Sequence, residues 1–472
     1  MRAAVLLVSL LMVPAVIASV GSPREAADLV VTELLSGSYE GKSVLSLPSG
    51  VTEGQLVDSW HVQVEAPFDG FLVLVDDIAL ANWEHPCRWV FVSFAGDMEV
   101  VRMQTPPVAL PRMTVEYSDL PVPGQASVQS FLEWFEANPR AGNDPAHTFA
   151  LIISGGASQG NNHIRYYGDV QFIFTTLQGD YGYTDENIVV CFADGTNPAP
   201  DQSGGLNSNP DLDNDGDTDF DYDATLAGVT SGYNDILGMV SNDDHLLIFT
   251  TDHGGNGKLG SDIPPEVYLN LWNWEQLNDD VFDGWLDNID AASIHVVMEQ
   301  CYSGGFLEET VPTTGGQPRT FSSAASGYQS SWAGATYPEY DEWAYWWTGA
   351  MHGSVPPGGS YPGGPLPYDP DANNDGYVDY KEAWDCAYDW DSCCPGQENP
   401  QWGDDPDSCG SDYYLGGLIP TSTADQGYVV PGPFSAGVEV NPFSGTASLR
   451  VSLASGSRVV VSFFDLTGRM VD

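Results

Sequence analysis

SIHVVMEQCYSGGF, residues 293–306, begins as an unbroken apolar run and then turns abruptly to an acid, an amide, a thiol and two glycines. A short run rich in Val and Ile with no polar alternation marks a strand buried on both faces, as in a parallel sheet covered by helices. FALIIS (149–154), NIVVCFAD (187–194) and HLLIFTTDHGG (245–255) repeat the pattern, and GDVQFIFTTLQGDYG and VTSGYNDILGMV read as helices between them. The spacing predicts an α/β fold, a three-layer sandwich around a mostly parallel sheet. Open sheets of this kind bind ligands at the carboxyl ends of their strands. Two strands end there in chemically loaded turns, TTDHGG and EQCYSGG.

Working outward, residues 1–18 combine Arg2, an apolar run and the small-residue site Val16-Ile17-Ala18, the pattern of a secretory signal cut after Ala18. Residues 19–104 read as a small α+β domain: a capped helix over 22–37, then strands in WHVQVEA, GFLVLVDDIAL and RWVFVSFAG. Its position suits a propeptide as well as an accessory domain. A Pro-rich linker is expected over 105–143, the α/β domain over 144–352, a Cys-rich insertion over 353–423 and an alternating, β-sandwich-like tail over 424–472.

The chain has 472 residues, 66 acidic against 14 basic, for a formal net charge of −52. Phosphate backbones and anionic lipid repel such a surface, which argues against nucleic-acid partners. No run after the signal reaches membrane-spanning length, which argues against membrane insertion. The cysteines are odd in number, 7. Cys386, Cys393, Cys394 and Cys409 suit two disulfides with three pairings open, Cys87 and Cys191 either pair or stay reduced, and Cys301 is left over.

DANNDGYVDYKE (371–382) fits the twelve-residue EF-hand-like loop, with Asp371, Asn373, Asp375, the Tyr377 carbonyl, Asp379 and Glu382 as oxygen ligands and Gly376 at the turn. DLDNDGDTDFDYD (211–223) supplies Asp211, Asp213, Asp215, Asp217 and Asp219, but Tyr222 stands where the closing acid belongs, leaving Asp221 or Asp223 as substitutes. Structural Ca2+ is the cofactor these loops predict.

His253 and Cys301, at the ends of strands that can be sheet neighbours, offer a proton shuttle and a thiol nucleophile, with glycines allowing close approach of a bound carbonyl. The blocks FTTDHGG and MEQCYSGGF resemble the His-Gly and Glu-x-Cys blocks of the legumain family of cysteine endopeptidases, which share a caspase-like fold with gingipains and clostripain. The resemblance extends to IRYYGDVQFIFTTLQGDYGYTDENIVVCFAD and TFSSAASGYQSSWAG, about residues 145–350 in all. It implies Cys301 as nucleophile, His253 as general acid and base, and the N–H groups of Gly254 and Cys301 as oxyanion hole. It also implies Arg165 and Glu299 in the pocket for the residue before the scissile bond, with Ser330 as a wall. Where the family has Asn two residues before the arginine this chain has His163, and its second pocket acid has two candidates here, Glu339 and Asp341.

An arginine beside a carboxylate suits an amide such as Asn, and Asp once protonated. The expected function is hydrolysis of protein or peptide substrates, or transpeptidation when an amine captures the acyl-enzyme. The tail NPFSGTASLRVSLASGSRVVVSFFDLTGRMVD resembles the start of type IX secretion sorting domains, implying an export-machinery partner and a secreted or cell-surface location. The competing reading is an inactive calcium-binding surface or adhesion protein on a peptidase fold.

Overall fold

The computed structural model describes residues 19–60, 62–120, 128–137, 147–257, 266–311, 316–394 and 396–420, with short strands between 435 and 471. The expected signal, 1–18, lies outside the described residues. The chain divides into Met1–Ile419 and Pro420–Asp472.

The larger unit is organised around strands β1 (Thr148–Ser154), β2 (Ile188–Phe192), β3 (His245–Thr250), β4 (Ser293–Met298), β5 (Arg319–Ser323) and β6 (Gln401–Asp405). They form one sheet in the order β6-β5-β4-β3-β1-β2, parallel throughout except for the antiparallel edge strand β6. Helices α1 (Ile164–Tyr181), α4 (Glu342–His352) and α5 (Tyr380–Trp390) cover one face, and α2 (Leu226–Met239) and α3 (Asp279–Leu286) the other.

Alternation along each strand divides the core between these faces: Ala150, Ile152, Leu247 and Phe249 point to the first, Leu151, Ile153, Leu246 and Ile248 to the second. A slip of one residue would exchange the two sets, so register is fixed from both sides. This is the three-layer α/β architecture that the apolar runs predict, in the caspase-like form that the resemblance implies.

The preceding residues build a separate antiparallel sheet of five strands, in the order Met98–Met103, Cys87–Ser93, Gly70–Asp76, Ser43–Ser46 and Thr114–Ser118. Its central strand is buried on both sides. Phe71, Val73 and Val75 meet Ala26, Ala27 and Val30 of the N-terminal helix, while Leu72 and Leu74 meet Trp89 and Phe91.

Three expectations change. The segment 105–143 is more than a linker: Thr114–Ser118 is an edge strand of the antiparallel sheet, and helix Val128–Ala137 sends Phe131 into the core of the α/β domain beside Phe172. Nor is 353–423 an insertion, because α5 buries Tyr380, Ala383, Cys386 and Ala387 in that core and β6 completes the sheet. Its prolines and glycines hide an amphipathic helix whose apolar face meets α4. Finally, all seven cysteines are free thiols. Cys393 Sγ lies 3.7 Å from Glu342 Oε2 and Cys409 Sγ 3.6 Å from the Arg319 carbonyl, each facing a partner other than a second sulfur.

In the smaller unit, Ser435–Asn441 and Thr446–Ser452 pair antiparallel, as do Phe463–Phe464 and Met470–Val471. No described helix is long and apolar enough to cross a membrane.

Candidate active site

Thr250 and Met298 pair in register as the last residues of β3 and β4. His253 and Cys301 follow them at equal intervals, so two adjacent parallel strands deliver imidazole and thiol to the same end of the sheet. Gly254 permits the approach, since a Cβ there would stand 2.1 Å from the Cys301 carbonyl oxygen.

The His253 ring is held from outside the expected motifs. Its Nε2 donates to the Asn161 carbonyl at 2.9 Å, leaving Nδ1 as the acceptor. His163 packs edge-on at 5.7 Å between ring centres and Tyr166 at 5.2 Å. Both His253 and Cys301 are fully buried. Burial, with Arg165 nearby, holds the imidazole well below its usual range, and burial pushes the Cys301 thiol up to about 12. Thiol and imidazole are therefore both neutral as the site stands.

Beside them is a polar pocket, and an asparagine of the N-terminal domain fills it. Asn82 Oδ1 accepts from Arg165 Nε at 3.0 Å, from Arg165 Nη2, and from the Tyr166 hydroxyl at 2.8 Å. Its Nδ2 donates to Ser331 Oγ at 2.9 Å and to Asp341 Oδ1 at 3.2 Å. Arg165 Nε also meets Asp341 Oδ1 at 2.9 Å, fixing both edges of the pocket. Asp341 backs onto Asp169, whose carboxyl is raised by burial and by the facing Asp341. Asp341 is also raised by burial, with Arg165 opposing the shift.

The backbone around Asn82 is held as an added strand. Asn82 N donates to Ser331 O at 2.8 Å, Ala333 N donates to Leu80 O at 2.9 Å, and Ala81 bridges Trp332 antiparallel. Beyond the pocket, Gly254 N donates to Trp83 O at 3.2 Å and Glu84 N to Gly254 O at 3.0 Å.

Residues 148–346 match the model of the Peptidase C13 family, the legumain family. Over that stretch the chain is similar to the C13 peptidases. No curated protein matches the chain. Among solved structures, protein GSU0716 from Geobacter sulfurreducens is similar at 11% identity and a TM-score of 0.34, over 58% of this chain and all of that one.

Within the matched stretch, the structure brings Cys301, His253, Gly254 and Arg165 to one cleft, the set the resemblance implies. Of the two candidate second acids, Asp341 enters the pocket. Glu299 Oε2 accepts from Ala344 N at 3.1 Å in the first turn of α4, and burial holds its carboxyl well above the usual range. Ser330 Oγ donates to the Glu84 carbonyl at 2.9 Å, and its neighbour Ser331 is the residue on Asn82. Asn161, Tyr166 and Ser331 were missed. The first acts through a backbone carbonyl, which any residue has, and the others read as ordinary aromatic and loop positions.

Away from the cleft, the two acidic loops adopt one geometry. In 211–219, Asn214 and Gly216 take φ of +61° and +109°, Gly216 N donates to Asp211 Oδ2 at 3.2 Å and Asp215 N to Asp213 Oδ1 at 3.1 Å. In 371–382, Asn374 and Gly376 take +60° and +94°, Gly376 N donates to Asp371 Oδ2 at 2.9 Å and Asp375 N to Asn373 Oδ1 at 2.8 Å. Glu382 turns back onto Asn373 N at 3.1 Å and Asp379 N at 3.1 Å.

Carboxylate oxygens of Asp211, Asp213 and Asp215 lie within 4.8 Å of one another, as do those of Asp185, Asp215 and Asp217. Such all-oxygen sets fit a large hard cation. Of the two candidate closing acids, Asp221 Oδ2 accepts from Val190 N at 2.9 Å, and Asp223 Oδ1 accepts from the Thr225 hydroxyl at 2.6 Å.

Proposed function

We propose that this chain is a secreted cysteine endopeptidase that cleaves after asparagine, with Cys301 as nucleophile and His253 as general acid and base. The observation that carries this reading is the seating of Asn82. The pocket donates to the amide oxygen through Arg165 and Tyr166 and accepts from the amide nitrogen through Asp341 and Ser331. An ionised aspartate side chain would set a second carboxylate oxygen against Asp341, so Asp is accepted only when protonated.

In the proposed reaction, Cys301 Sγ attacks the carbonyl carbon of the pocketed residue while Nδ1 of His253 takes the thiol proton. The Gly254 and Cys301 N–H groups receive the oxyanion. The imidazolium returns its proton to the departing amine as the C–N bond breaks, leaving a thioester. Water then releases the acid product, and a competing amine gives transpeptidation. The Nε2 bond to the Asn161 carbonyl supports this assignment, because it fixes the tautomer whose Nδ1 can accept.

Calcium in the two acidic loops would be structural, ordering segments that flank α1 and α5 and routing no chemistry. Asp371, Asn373, Asp375, the Tyr377 carbonyl, Asp379 and Glu382 would hold one ion, and Asp211, Asp213, Asp215 and Asp217 another. Export and a cell-surface destination are supported by the apolar N-terminal run with its small-residue site and by the type IX-like tail.

A peptide library varied at the residue before the cut tests the function, with the protein in calcium and Cys301→Ala alongside. Cleavage after Asn that disappears in the variant is the expected result. Cleavage after Arg or Lys would overturn the pocket assignment, and turnover that survives Cys301→Ala would overturn the nucleophile.

A further inference from the structure

Segment 80–85 of the N-terminal domain, LANWEH, lies across the candidate active site like a bound peptide. It pairs with Ser331–Ala333 as an added strand, puts Asn82 in the pocket and leaves Asn82, Trp83, Glu84 and His85 almost without exposed surface. Backbone pairing plus one side-chain pocket is a general mode of peptide capture.

The segment is seated, yet the groups that would cut it are engaged elsewhere. The Asn82 carbonyl oxygen, the atom that would become the oxyanion, is held by His85 Nδ1 at 2.8 Å. His85 is itself fixed by Asp76 at 2.8 Å through Nε2 and stacks on Trp83 at 3.8 Å between ring centres. The Gly254 N–H, which would receive that oxyanion, is occupied by the next carbonyl, Trp83 O. The His253 Nδ1 lone pair, needed to take the thiol proton, accepts the Trp83 N–H at 3.0 Å.

Glu84 locks the far side. Its carbonyl accepts from Tyr302 Oη at 3.0 Å and Ser330 Oγ at 2.9 Å, and its Oε1 from Tyr268 Oη at 2.6 Å.

We propose that the N-terminal domain is an intramolecular inhibitor of the peptidase, with Leu80–His85 as a substrate-mimicking plug and Asn82 as its anchor in the specificity pocket. The plug fills the pocket, the oxyanion donor and the base together while holding its own scissile carbonyl out of line. Tethering supplies a high effective concentration, so contacts weak in a free peptide suffice in one chain. The inference rests on the asparagine-pocket reading above and adds to it that the intact chain is latent.

The test uses the full-length chain, with intact mass confirmed, as wild type, Asn82→Ala and Asn82→Gln. Two rates are read: hydrolysis of a fluorogenic peptide with Asn before the cut, and alkylation of Cys301 by iodoacetamide, mapped by mass spectrometry. Both rates rise by about tenfold or more in the variants, because each loses hydrogen bonds to the charged pocket. Scission of the wild-type chain between Asn82 and Trp83 with a matching rise in hydrolysis also supports the plug, since a severed anchor can leave.

Equal rates in intact wild type and both variants overturn the proposal. If alkylation rises but no Asn peptide is cut, the plug stands and the peptidase reading fails. A variant that simply unfolds is recognised by alkylation of the buried Cys87, Cys191, Cys386 and Cys409 as well, and Asn82→Gln, which keeps the amide, then carries the comparison.

Discussion

The two largest sheets of the larger unit contribute opposite things to one cleft. The parallel sheet supplies His253 and Cys301 from neighbouring strand ends in fixed register, so their placement is tied to the core. The antiparallel sheet supplies a loop, Leu80–His85, held by hydrogen bonds to Ser331, Ala333 and Gly254 and by its own His85–Asp76 clasp. Residues of the first kind cannot be moved without repacking the fold. A loop of the second kind can leave while both cores stay intact, and that asymmetry suits a catalytic part and a removable part.

The largest expected effect breaks the comparison on the parallel side. In a chain freed of its plug, Cys301→Ala lowers kcat/KM by about a thousandfold or more, as expected for loss of a nucleophile. Retention of most activity would mean that the strand-end thiol is not the reactive group. Next comes Arg165→Ala, expected to lower kcat/KM for Asn substrates by about a hundredfold while Cys301 still alkylates, because a charged donor to a buried amide oxygen is lost.

Calcium gives a smaller effect that leaves both sheets in place. Burial pushes Asp379, a proposed ligand in the 371–382 loop, up to about 7, so below that pH protons compete with the cation for its carboxylate. Chelation therefore lowers Tm by a few degrees, and the gap between calcium-loaded and chelated protein widens as pH rises through about 7. A gap that narrows over that range would contradict calcium at that loop.

The smallest effect is alkaline. The Cys301 thiol, raised to about 12 in the fold, keeps a proton that the unfolded chain releases near its ordinary value. The stability this contributes is fully present below about pH 9 and is lost as pH rises toward 12. Cys301→Ala should accordingly show a shallower fall in Tm between pH 9 and 10.5 than wild type.

The parallel sheet was legible because burial on both faces leaves an uninterrupted apolar signature, and the site because its histidine and thiol sit in unusual glycine-bearing turns. The plug was not legible. Leu80 ends the stretch GFLVLVDDIAL and Ala81 and Asn82 simply follow it, and only tertiary pairing with Ser331–Ala333 gives them meaning. Asp341 against Glu339 was undecidable for a similar reason, since only the fold shows which acid turns inward. The disulfide arithmetic failed because clustering in sequence says nothing about where each Cβ points: Cys386 faces the core from a helix while Cys409 sits by β5. The proline and glycine content of 353–423 suggested an appendage, although α5 and β6 within it are core elements.

The position of β6 in the chain has a consequence for biogenesis. Gln401–Asp405 caps the sheet by pairing with β5, whose residues precede it by some eighty positions. During synthesis from the N-terminus, β5 emerges with an open hydrogen-bonding edge, and that edge stays unsatisfied until residue 405 has followed. For that interval the nascent peptidase is exposed to edge-to-edge association. The acidic side chains of Asp404 and Asp405 then arrive with the closing strand, leaving a charged rim where an unpaired edge had been.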